Sequence, residues 1–382
     1  MRIGLNLLPV VPGIGGSWNY IANLVDALGD HDTGNEYVAF VTTASAELVP
    51  ARPHFRTVLL PVRARVRALR VGFENSLFPF YSARERIDCM HHLFGTLPFF
   101  NSAPSVVTVH DLMVFTRPGD FKPVKRRYLR LMEGRAAKHA TILAPVSQAT
   151  ADDLYRTFSV PRARVHVMRT AVPVHFKPET PERVAEFRAR YGLPKDFWLC
   201  VADPYPHKNH RRLMDAVGEL RRRSPSGWSL AIRGTITGDL QRMIHENGLD
   251  GRVVGIPYLK SSEMPALYSS ASALVFPSLF EGGGIPVIEA MACGCPVVAS
   301  DIPSVREFAG TGARFFDPHD VASITAAMDE CERSADTRAA LIAAGKERAK
   351  GFRPEVLADL CRNAYASAVA LRPRRPLSRK SD

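Results

Sequence analysis

The sequence has few cysteines and no long uninterrupted run of apolar residues. Its 382 residues include only six cysteines, and Cys293-Gly-Cys295 has no second pair to complete a zinc site. No apolar run approaches the ~20 residues that a membrane-spanning helix needs. The first residues also lack the apolar length and the cleavage site of a signal peptide. These absences predict a cytoplasmic protein with buried, reduced thiols.

Positive charge is in excess, and it is unevenly distributed along the chain. The formal net charge is +12; residues 1–170 carry 21 Lys and Arg against 13 Asp and Glu, residues 171–355 carry 23 of each, and residues 356–382 carry six against two. The excess favours an anionic partner for the first part of the chain, such as a membrane surface, a phosphorylated acceptor or nucleic acid. No nucleic-acid-binding motif accompanies the charge, and the neutral second part argues against a continuous groove, so we expect no nucleic-acid partner.

Short apolar runs typical of buried strands alternate with amphipathic helical patterns along the whole chain. Two such series, in a chain about twice the usual domain length, predict an α/β protein with two doubly wound domains and parallel sheets. The predicted N-terminal domain spans residues 1–170, and the predicted C-terminal domain spans residues 178–353, with a proline-containing linker between them. Residues 354–370 have apolar positions at helical spacing, and residues 371–382 form a basic tail that we expect to be disordered. The predicted strands are Ile3–Leu8, Tyr37–Thr42, Thr57–Pro61, Ser105–Val109, Thr141–Pro145, Trp198–Ala202, Ser229–Arg233, Ala273–Pro277, Pro296–Ala299 and Ala313–Phe316.

The most informative segment contains two glutamates around three consecutive glycines. Glu281 follows a predicted strand, and Pro286 stands where a helix would begin. Glycines let backbone N–H groups approach a ligand closely, and a helix N-terminus favours an anion. Glu281 and Glu289 can both face the crevice in which open α/β sheets bind ligands, where carboxylates suit the vicinal hydroxyls of a sugar. The spacing alone is equally compatible with a tight turn that carries two surface glutamates.

Glu281-x7-Glu289, within FPSLFEGGGIPVIEAMACGCPVVAS, resembles the signature of the retaining glycosyltransferases of family 4, which have the GT-B fold. The resemblance covers about residues 1–370 and is densest over residues 198–318. It implies two Rossmann-like domains that face a cleft, with the C-terminal helix crossing back to the N-terminal domain. It also implies a nucleoside diphosphate sugar donor, GDP- or UDP-linked, in the C-terminal domain and an acceptor in the N-terminal domain. Three other segments match in the same order, namely Asp250–Gly255, Glu263–Tyr268 and Ser300–Glu307.

The resemblance implies roles for individual residues. Glu281 would contact the donor sugar as a catalytic residue, and Glu289 would hold the ribose hydroxyls. Lys208, which without this context would be an ordinary solvated lysine, would pair with the diphosphate. One departure from the family pattern is Ala202-Asp203, which stands where Gly-Arg is common, so an arginine contact to the phosphates is either missing or supplied elsewhere. The further donor-binding positions implied are Gly282, Gly283, Gly284, Ile285, Pro286, Gly15, Gly16 and Ile256.

Histidines and acidic residues elsewhere offer further candidates. His110 ends a predicted strand, and the resemblance implies a catalytic residue that hydrogen-bonds the donor sugar, with Asp111 orienting it. A lone histidine there also fits a structural loop residue. We interpret His91-His92 as structural, because no acidic or cysteine partner lies at metal-ligand spacing. Asp30-His-Asp32 is interpreted as a solvated helix end, and we expect neither an essential metal nor another cofactor.

Two basic stretches in the first part of the chain carry interleaved apolar residues, at 63–73 and 122–130. Each is compatible with a solvated helix face. Each is also compatible with a reversible, salt-sensitive contact with anionic lipid on the inner face of a membrane, a common arrangement where acceptors are lipid-linked.

Together, these features predict a hexosyltransferase (EC 2.4.1.-). It would move a hexose, of mannose type or similar, from a nucleoside diphosphate sugar to a hydroxyl of a glycan or lipid-linked oligosaccharide, with retention of anomeric configuration. Bacterial surface polysaccharide biosynthesis, such as that of lipopolysaccharide, is the expected context. The alternatives are a sugar-nucleotide epimerase with the same fold and a binding protein without transfer activity.

Overall fold

A computed structural model describes residues 1–11, 16–101 and 103–371 of the chain. Its strands form two parallel sheets of six, in the orders β3-β2-β1-β4-β5-β6 and β12-β11-β10-β7-β8-β9. The predicted α/β class with two doubly wound sheets is therefore confirmed. The strands of the first sheet are β1 Arg2–Asn6, β2 Glu36–Val41, β3 Phe55–Leu59, β4 Cys89–His92, β5 Ser105–Val109 and β6 Ile142–Pro145; those of the second are β7 Phe197–Val201, β8 Ser229–Arg233, β9 Val253–Ile256, β10 Ala273–Phe276, β11 Val297–Ser300 and β12 Ala313–Phe316.

Helices connect the strands and cover the sheets, which is why most strands are buried apolar runs rather than alternating patterns. The helices are α1 Gly16–His31, α2 Arg67–Ser76, α3 Phe78–Arg84, α4 Met113–Thr116, α5 Pro123–His139, α6 Gln148–Phe158, α7 Pro181–Tyr191, α8 His210–Arg223, α9 Gly238–Glu246, α10 Met264–Ser270, α11 Ile285–Ala292, α12 Pro303–Ala309, α13 Val321–Arg333, α14 Ala335–Ala349 and α15 Pro354–Ala370. All ten predicted strands are present, with ends within two residues of the prediction, and two further strands, β4 and β9, were not predicted.

The chain passes twice between the two sheets, and the two crossings lie side by side. The amide of Val172 donates to the carbonyl of Phe352 at 2.7 Å, which joins the outgoing and returning segments. Helix α1 holds the outgoing segment, because the Tyr20 hydroxyl donates to the Met168 carbonyl at 2.8 Å and Asn23 Nδ2 donates to the Ala171 carbonyl at 2.9 Å. The two sheets are therefore connected by two adjacent segments that hydrogen-bond to each other.

Helix α15 returns from the second sheet and packs against α1 of the first. Its buried residues join the core of the first sheet; they are Leu357, Ala358, Cys361, Ala364, Tyr365 and Ala368. The Tyr365 hydroxyl lies 2.9 Å from His91 Nδ1, and His91 Nε2 lies 2.8 Å from the Thr108 hydroxyl. The predicted crossing of the last helix is confirmed, and His91 has the structural surroundings expected of it.

One predicted environment is wrong. Asp32, expected at a solvated helix end, is buried and accepts hydrogen bonds from the Tyr37 hydroxyl and, at 2.8 Å, from Asn35 Nδ2. Its neighbour Asp30 is exposed and pairs with Arg52. The Asp32 carboxylate is therefore part of the packed interior, because strand β2 folds back over the end of α1. The Asp30 carboxylate forms an ion pair at the surface.

The domain boundaries at residues 170, 178 and 353 stay predictions, and the basic tail from residue 372 onwards lies outside the described residues. Among the described residues, no helix is both long and apolar enough to cross a bilayer.

Candidate active site

The glycine-rich segment joins the carboxyl end of β10 to helix α11. The helix begins at Ile285 with Pro286 in its first turn, where a missing N–H costs nothing, and it ends at Ala292. Gly294 then takes a left-handed conformation with φ +74°, which favours glycine and stops the helix. Added Cβ atoms would lie 3.1 Å from Cζ of Phe308 at Gly283 and 3.1 Å from Cβ of Phe308 at Gly284, so the loop packs closely on that side chain.

Lys208 and Glu281 meet at the carboxyl edge of the second sheet. Lys208 Nζ donates to Glu281 Oε1 at 2.6 Å, with only 18% and 15% of the two side chains exposed. Their loops are joined by a backbone hydrogen bond of 2.7 Å from Leu279 N to the His207 carbonyl. The lysine charge is thus neutralised by a carboxylate in this state, and an anionic ligand that binds Lys208 would release Glu281 for other hydrogen bonds.

His110 lies at the carboxyl end of β5 in the first sheet. Its Nε2 lies 2.8 Å from the Leu93 carbonyl, and because a carbonyl only accepts, Nε2 must carry the proton. The ring meets Tyr20 edge-on at 5.2 Å between centroids and lies 5.8 Å from the Phe94 ring. Burial lowers the pKa of His110 to about 4, so the imidazole is neutral at pH 7 and Nδ1 can accept a hydrogen bond.

Asp111 does not orient His110, contrary to the expectation, because the Leu93 carbonyl does so. The Asp111 carboxylate instead accepts a 2.8 Å hydrogen bond from the Met113 amide at the start of α4. Burial raises the pKa of Asp111, and the charge of Glu281 raises it further, while Lys208 opposes both effects. Asp111 of the first domain is therefore electrostatically coupled to the lysine–glutamate pair of the second.

The two domains touch directly at Gly282. Its carbonyl accepts hydrogen bonds from the Ser147 hydroxyl at 2.6 Å and from the Thr150 hydroxyl at 3.2 Å. A Cβ at Gly282 would lie 1.7 Å from the His110 carbonyl oxygen, closer than any nonbonded contact. Glycine at this position is what allows the two loops to meet.

A second interdomain contact lies beside the first, at the N-terminus of α6. The carboxylate of Glu307, on α12, accepts hydrogen bonds from the amides of Gln148 and Ala149 at 3.0 and 3.1 Å. These amides have no partner within the helix, and the positive end of the helix dipole favours a carboxylate there. The Glu307 contact and the Gly282 contact together define a closed arrangement of the domains.

Glu289 lies one turn into α11 and is buried, with 4% of its surface exposed. The Tyr268 hydroxyl donates to Glu289 Oε2 at 2.8 Å. Burial raises the pKa of Glu289 to about 7, while the hydrogen bond from Tyr268 and the charge of Arg233 act in the opposite direction. The carboxyl group is therefore divided between its protonated and ionised forms near neutral pH, and a partner that donates hydrogen bonds would favour the ionised form.

The remaining candidate donor-binding residues lie in different parts of the structure. Ile256 is buried at the end of β9, and Gly16 is exposed at the first turn of α1. Gly15 lies outside the described residues. Among the residues that the structure does describe, no group of three or more His, Cys, Asp or Glu side chains is placed to hold a metal ion.

Sequence reasoning missed the residues that join the domains and those that surround Glu289. Ser147 and Thr150 belong to a helix N-cap pattern, in which the Ser147 hydroxyl accepts from the Thr150 amide, and nothing in that pattern reveals a second partner across the cleft. Arg233 could have been found from the sequence, because a charged residue at the carboxyl end of an otherwise buried strand lies at the edge of the sheet where ligands bind.

The fold is shared with solved glycosyltransferase structures. Sucrose-phosphate synthase from Thermosynechococcus elongatus superposes with a TM-score of 0.77 at 20% identity, and the match covers 97% of this chain and 99% of that one. This similarity agrees with the GT-B fold and, at such low identity, shows the fold alone.

Sequence comparisons identify relatives and family. The O-antigen chain mannosyltransferase B of Escherichia coli is 30% identical over 266 residues, 68% of this chain and 70% of that protein. The O-antigen chain mannosyltransferase RfbU of Salmonella typhimurium is 28% identical over 249 residues, 64% of each chain, so this chain spans about two thirds of the length of these relatives. The model for glycosyl transferases group 1 matches residues 184–348, and the model for glycosyltransferase family 4 matches residues 14–176. The two cleft-facing domains and these matches together show that the chain is a glycosyltransferase of family 4.

Proposed function

We propose that this enzyme transfers a hexose, of mannose type or similar, from a nucleoside diphosphate sugar to a hydroxyl of a glycan or lipid-linked acceptor. The observation that carries the proposal is the Lys208–Glu281 pair, held at a glycine-rich helix N-terminus opposite His110 of the other domain. The mannosyltransferase relatives support a mannose-type sugar and a role in surface polysaccharide assembly.

The leaving group in such a transfer is a nucleoside diphosphate, so negative charge develops on its phosphate oxygens. Lys208 and the free amides at the start of α11 are placed to stabilise that charge, and with this cation in place we expect no essential metal. When Lys208 turns to the diphosphate, Glu281 becomes free to accept hydrogen bonds from the hydroxyls of the donor sugar. Glu289 would accept from the ribose hydroxyls once it is ionised.

We propose retention through attack on the same face from which the leaving group departs. The bond between the anomeric carbon and the phosphate oxygen breaks, the acceptor oxygen bonds to that carbon, and the acceptor proton passes to the departing phosphate. The sugar then passes through an oxocarbenium-like state, as in glycoside hydrolysis. Neutral His110 cannot protonate the leaving group, and its free Nδ1 is suited to accept a hydrogen bond from a sugar hydroxyl.

The closed arrangement supports a role for domain closure. The Gly282 and Glu307 contacts bring the acceptor-side and donor-side loops together and would exclude water from the reacting carbon. Exclusion of water favours transfer to an acceptor hydroxyl over hydrolysis of the donor.

A peripheral membrane contact is proposed for the same domain that carries the excess charge. Leu69, Val124 and Leu131 are exposed large apolar side chains within or directly beside the two basic stretches. Burial lowers the pKa of Lys125 on α5, and the charge of Arg67 on α2 lowers it further, which supports a basic surface shared by the two helices. Binding to vesicles with anionic lipid, weakened by salt and absent with neutral lipid, would support this proposal.

The decisive experiment combines nucleotide titration with product analysis. We expect Lys208→Ala to weaken nucleoside diphosphate binding by about 10- to 100-fold, since a charge-assisted hydrogen bond to phosphate is worth ~1.5–3 kcal/mol. Lys195→Ala, at the opposite edge of the same sheet, is the matched control and should have no effect. Glu281→Ala should reduce kcat more than nucleotide affinity, and Glu289→Ala should do the reverse.

Product analysis separates the alternatives. NMR of the anomeric proton in the product reports retention or inversion, and incubation of the donor without acceptor reports epimerase activity. Full activity in both Glu281→Ala and Glu289→Ala would refute the proposed site.

A further inference from the structure

Three neighbouring strands of the second sheet bring together an aspartate, an arginine and a tyrosine at their carboxyl ends. Arg233 is the last residue of β8, Asp203 lies two residues beyond β7, and Tyr258 lies two residues beyond β9. The Tyr258 hydroxyl donates to the Asp203 carboxylate. The guanidinium carbon of Arg233 lies 4.5 Å from the centroid of the Tyr258 ring. We refer to these three residues as the Asp203–Arg233–Tyr258 cluster.

The positive charge of Arg233 is unpaired. Within the described ranges of the chain, its guanidinium makes no hydrogen bond and has no carboxylate within 4.0 Å, and its buried Nε lacks a partner. Burial of an unsatisfied guanidinium is costly, so this group is suited to bind acceptor atoms of a ligand. Burial raises the pKa of Glu289, and the charge of Arg233 opposes that effect by favouring the ionised carboxylate.

Tyr258 provides a flat surface at the same edge. Its side chain is half-exposed, at 49%, and Arg233 lies over its ring. The ring supports the guanidinium through this cation–π contact, and its hydroxyl holds the Asp203 carboxylate, so Tyr258 fixes both polar groups. Because Tyr258 lies in the loop beyond β9, the cluster is at the carboxyl edge of the second sheet, as is the Lys208–Glu281 pair.

We propose that the Asp203–Arg233–Tyr258 cluster holds the base of the donor nucleotide and selects guanine. The inference rests on the proposed function and narrows its substrate to GDP-linked sugars. Guanine has two neighbouring donors, N1–H and the 2-amino group, which match the two oxygens of the Asp203 carboxylate. Its adjacent acceptors, O6 and N7, match the donor fork of the Arg233 guanidinium.

Other bases fit the cluster less well. Uracil has a single N–H for the Asp203 carboxylate, and this N–H is flanked by two carbonyl oxygens. Compared with guanine, uracil therefore loses one hydrogen bond to the carboxylate and brings two carbonyl oxygens into repulsive contact with it. Adenine would direct the N1 lone pair at the carboxylate and its amino group at the guanidinium, so both contacts are mismatched. The cluster therefore orders the affinities as GDP above UDP above ADP.

The test is a calorimetric titration of the full-length protein with GDP, UDP and ADP. We expect GDP to bind the wild-type protein at least tenfold more tightly than UDP. Asp203→Asn keeps the size of the side chain and an acceptor for Tyr258; it should weaken GDP binding at least tenfold while changing UDP binding less than threefold. Arg233→Met should also reduce the preference for GDP. Arg242→Met is the matched control, because it removes an exposed positive charge from the same domain and should leave the preference unchanged.

The outcomes separate this inference from the proposed function. Equal binding of GDP and UDP, or an equal loss of both in Asp203→Asn, would overturn the selection of guanine. If Lys208→Ala still weakened binding of both nucleotides about 10- to 100-fold in that case, the nucleotide-sugar function would stand without the inference. If none of the three nucleotides bound to the wild-type protein at millimolar concentration, the inference and the proposed function would both be wrong.

Discussion

Replacing Gly282 by alanine should separate the domains at the point where they meet. The new Cβ would lie 1.7 Å from the His110 carbonyl oxygen. Nonbonded carbon and oxygen atoms approach to about 3.3 Å, so the two positions would have to move apart by roughly 1.6 Å. Both partners belong to the backbone, so no side-chain rotation relieves the overlap. Gly282 does not have a positive φ, so the penalty arises from this contact alone.

The displacement also removes hydrogen bonds that hold the closed arrangement. The Ser147 and Thr150 hydroxyls are 2.6 and 3.2 Å from the Gly282 carbonyl, and a shift of this size takes both beyond hydrogen-bonding distance. At about 1 kcal/mol each, their loss disfavours closure by roughly 2 kcal/mol, or about 30-fold in the equilibrium between open and closed forms. If closure precedes transfer, kcat should fall by about that factor, with a smaller change in nucleotide affinity.

The assay is kcat at saturating donor and acceptor, with nucleotide affinity measured in parallel. Gly238→Ala is the matched control, because it lies in the same domain and its Cβ would meet no atom within 4 Å. We expect this control to retain more than a third of wild-type kcat. Wild-type turnover in Gly282→Ala, or an equal loss in both variants, would show that the contact between Gly282 and His110 does not control closure.

Three further outcomes are expected. Glu307→Gln should reduce kcat about fivefold, since the interaction of a carboxylate with a helix N-terminus is worth ~1 kcal/mol, and unchanged kinetics would contradict its role in closure. GDP affinity should rise with pH through about 7, because ionised Glu289 accepts the hydrogen bonds of the ribose hydroxyls. Tyr268→Phe removes a hydrogen-bond donor that lowers the pKa of Glu289, so it should move the midpoint of this pH profile upwards. A GDP affinity that stays constant from pH 6 to 8 would contradict this role of Glu289. Tyr365→Phe removes the hydroxyl that contacts His91 and should destabilise the fold by about 1–2 kcal/mol, lowering Tm by several degrees; an unchanged Tm in calorimetry would argue against that contact.

Most of the fold could be predicted from local sequence patterns. Apolar runs of four to six residues sufficed for ten strands, because a strand covered on both faces has no polar positions to confuse the pattern. Pro286 located the start of α11 for an equally local reason. Strand β4 was not predicted, because His91 and His92 interrupt the apolar pattern that is typical of a buried strand. Their partners include Tyr365, 274 residues away from His91, and no short window can contain that information.

The site was predictable on each side of the cleft but not across it. Lys208, Glu281 and His110 each follow a strand, where ligands bind in open α/β sheets, but the family resemblance was needed to single out Lys208 and His110, and the roles of all three stay predictions. The hydrogen bonds from Ser147 and Gln148 to the opposite domain depend on how two separately folded units meet. Asp32 shows the same limit on a smaller scale, since its burial depends on Tyr37 folding over it from the next strand.

The position of α15 has a consequence for biosynthesis. Its residues complete the core of the first sheet, yet they are translated about 210 residues after the last strand of that sheet. At typical synthesis rates, an apolar groove beside α1 stays open for on the order of ten to forty seconds on the ribosome. The second domain, whose core comes from a continuous stretch of chain, can finish first. The order of folding is then the reverse of the order of synthesis, and the N-terminal half reaches its final structure only when the last helix has been made.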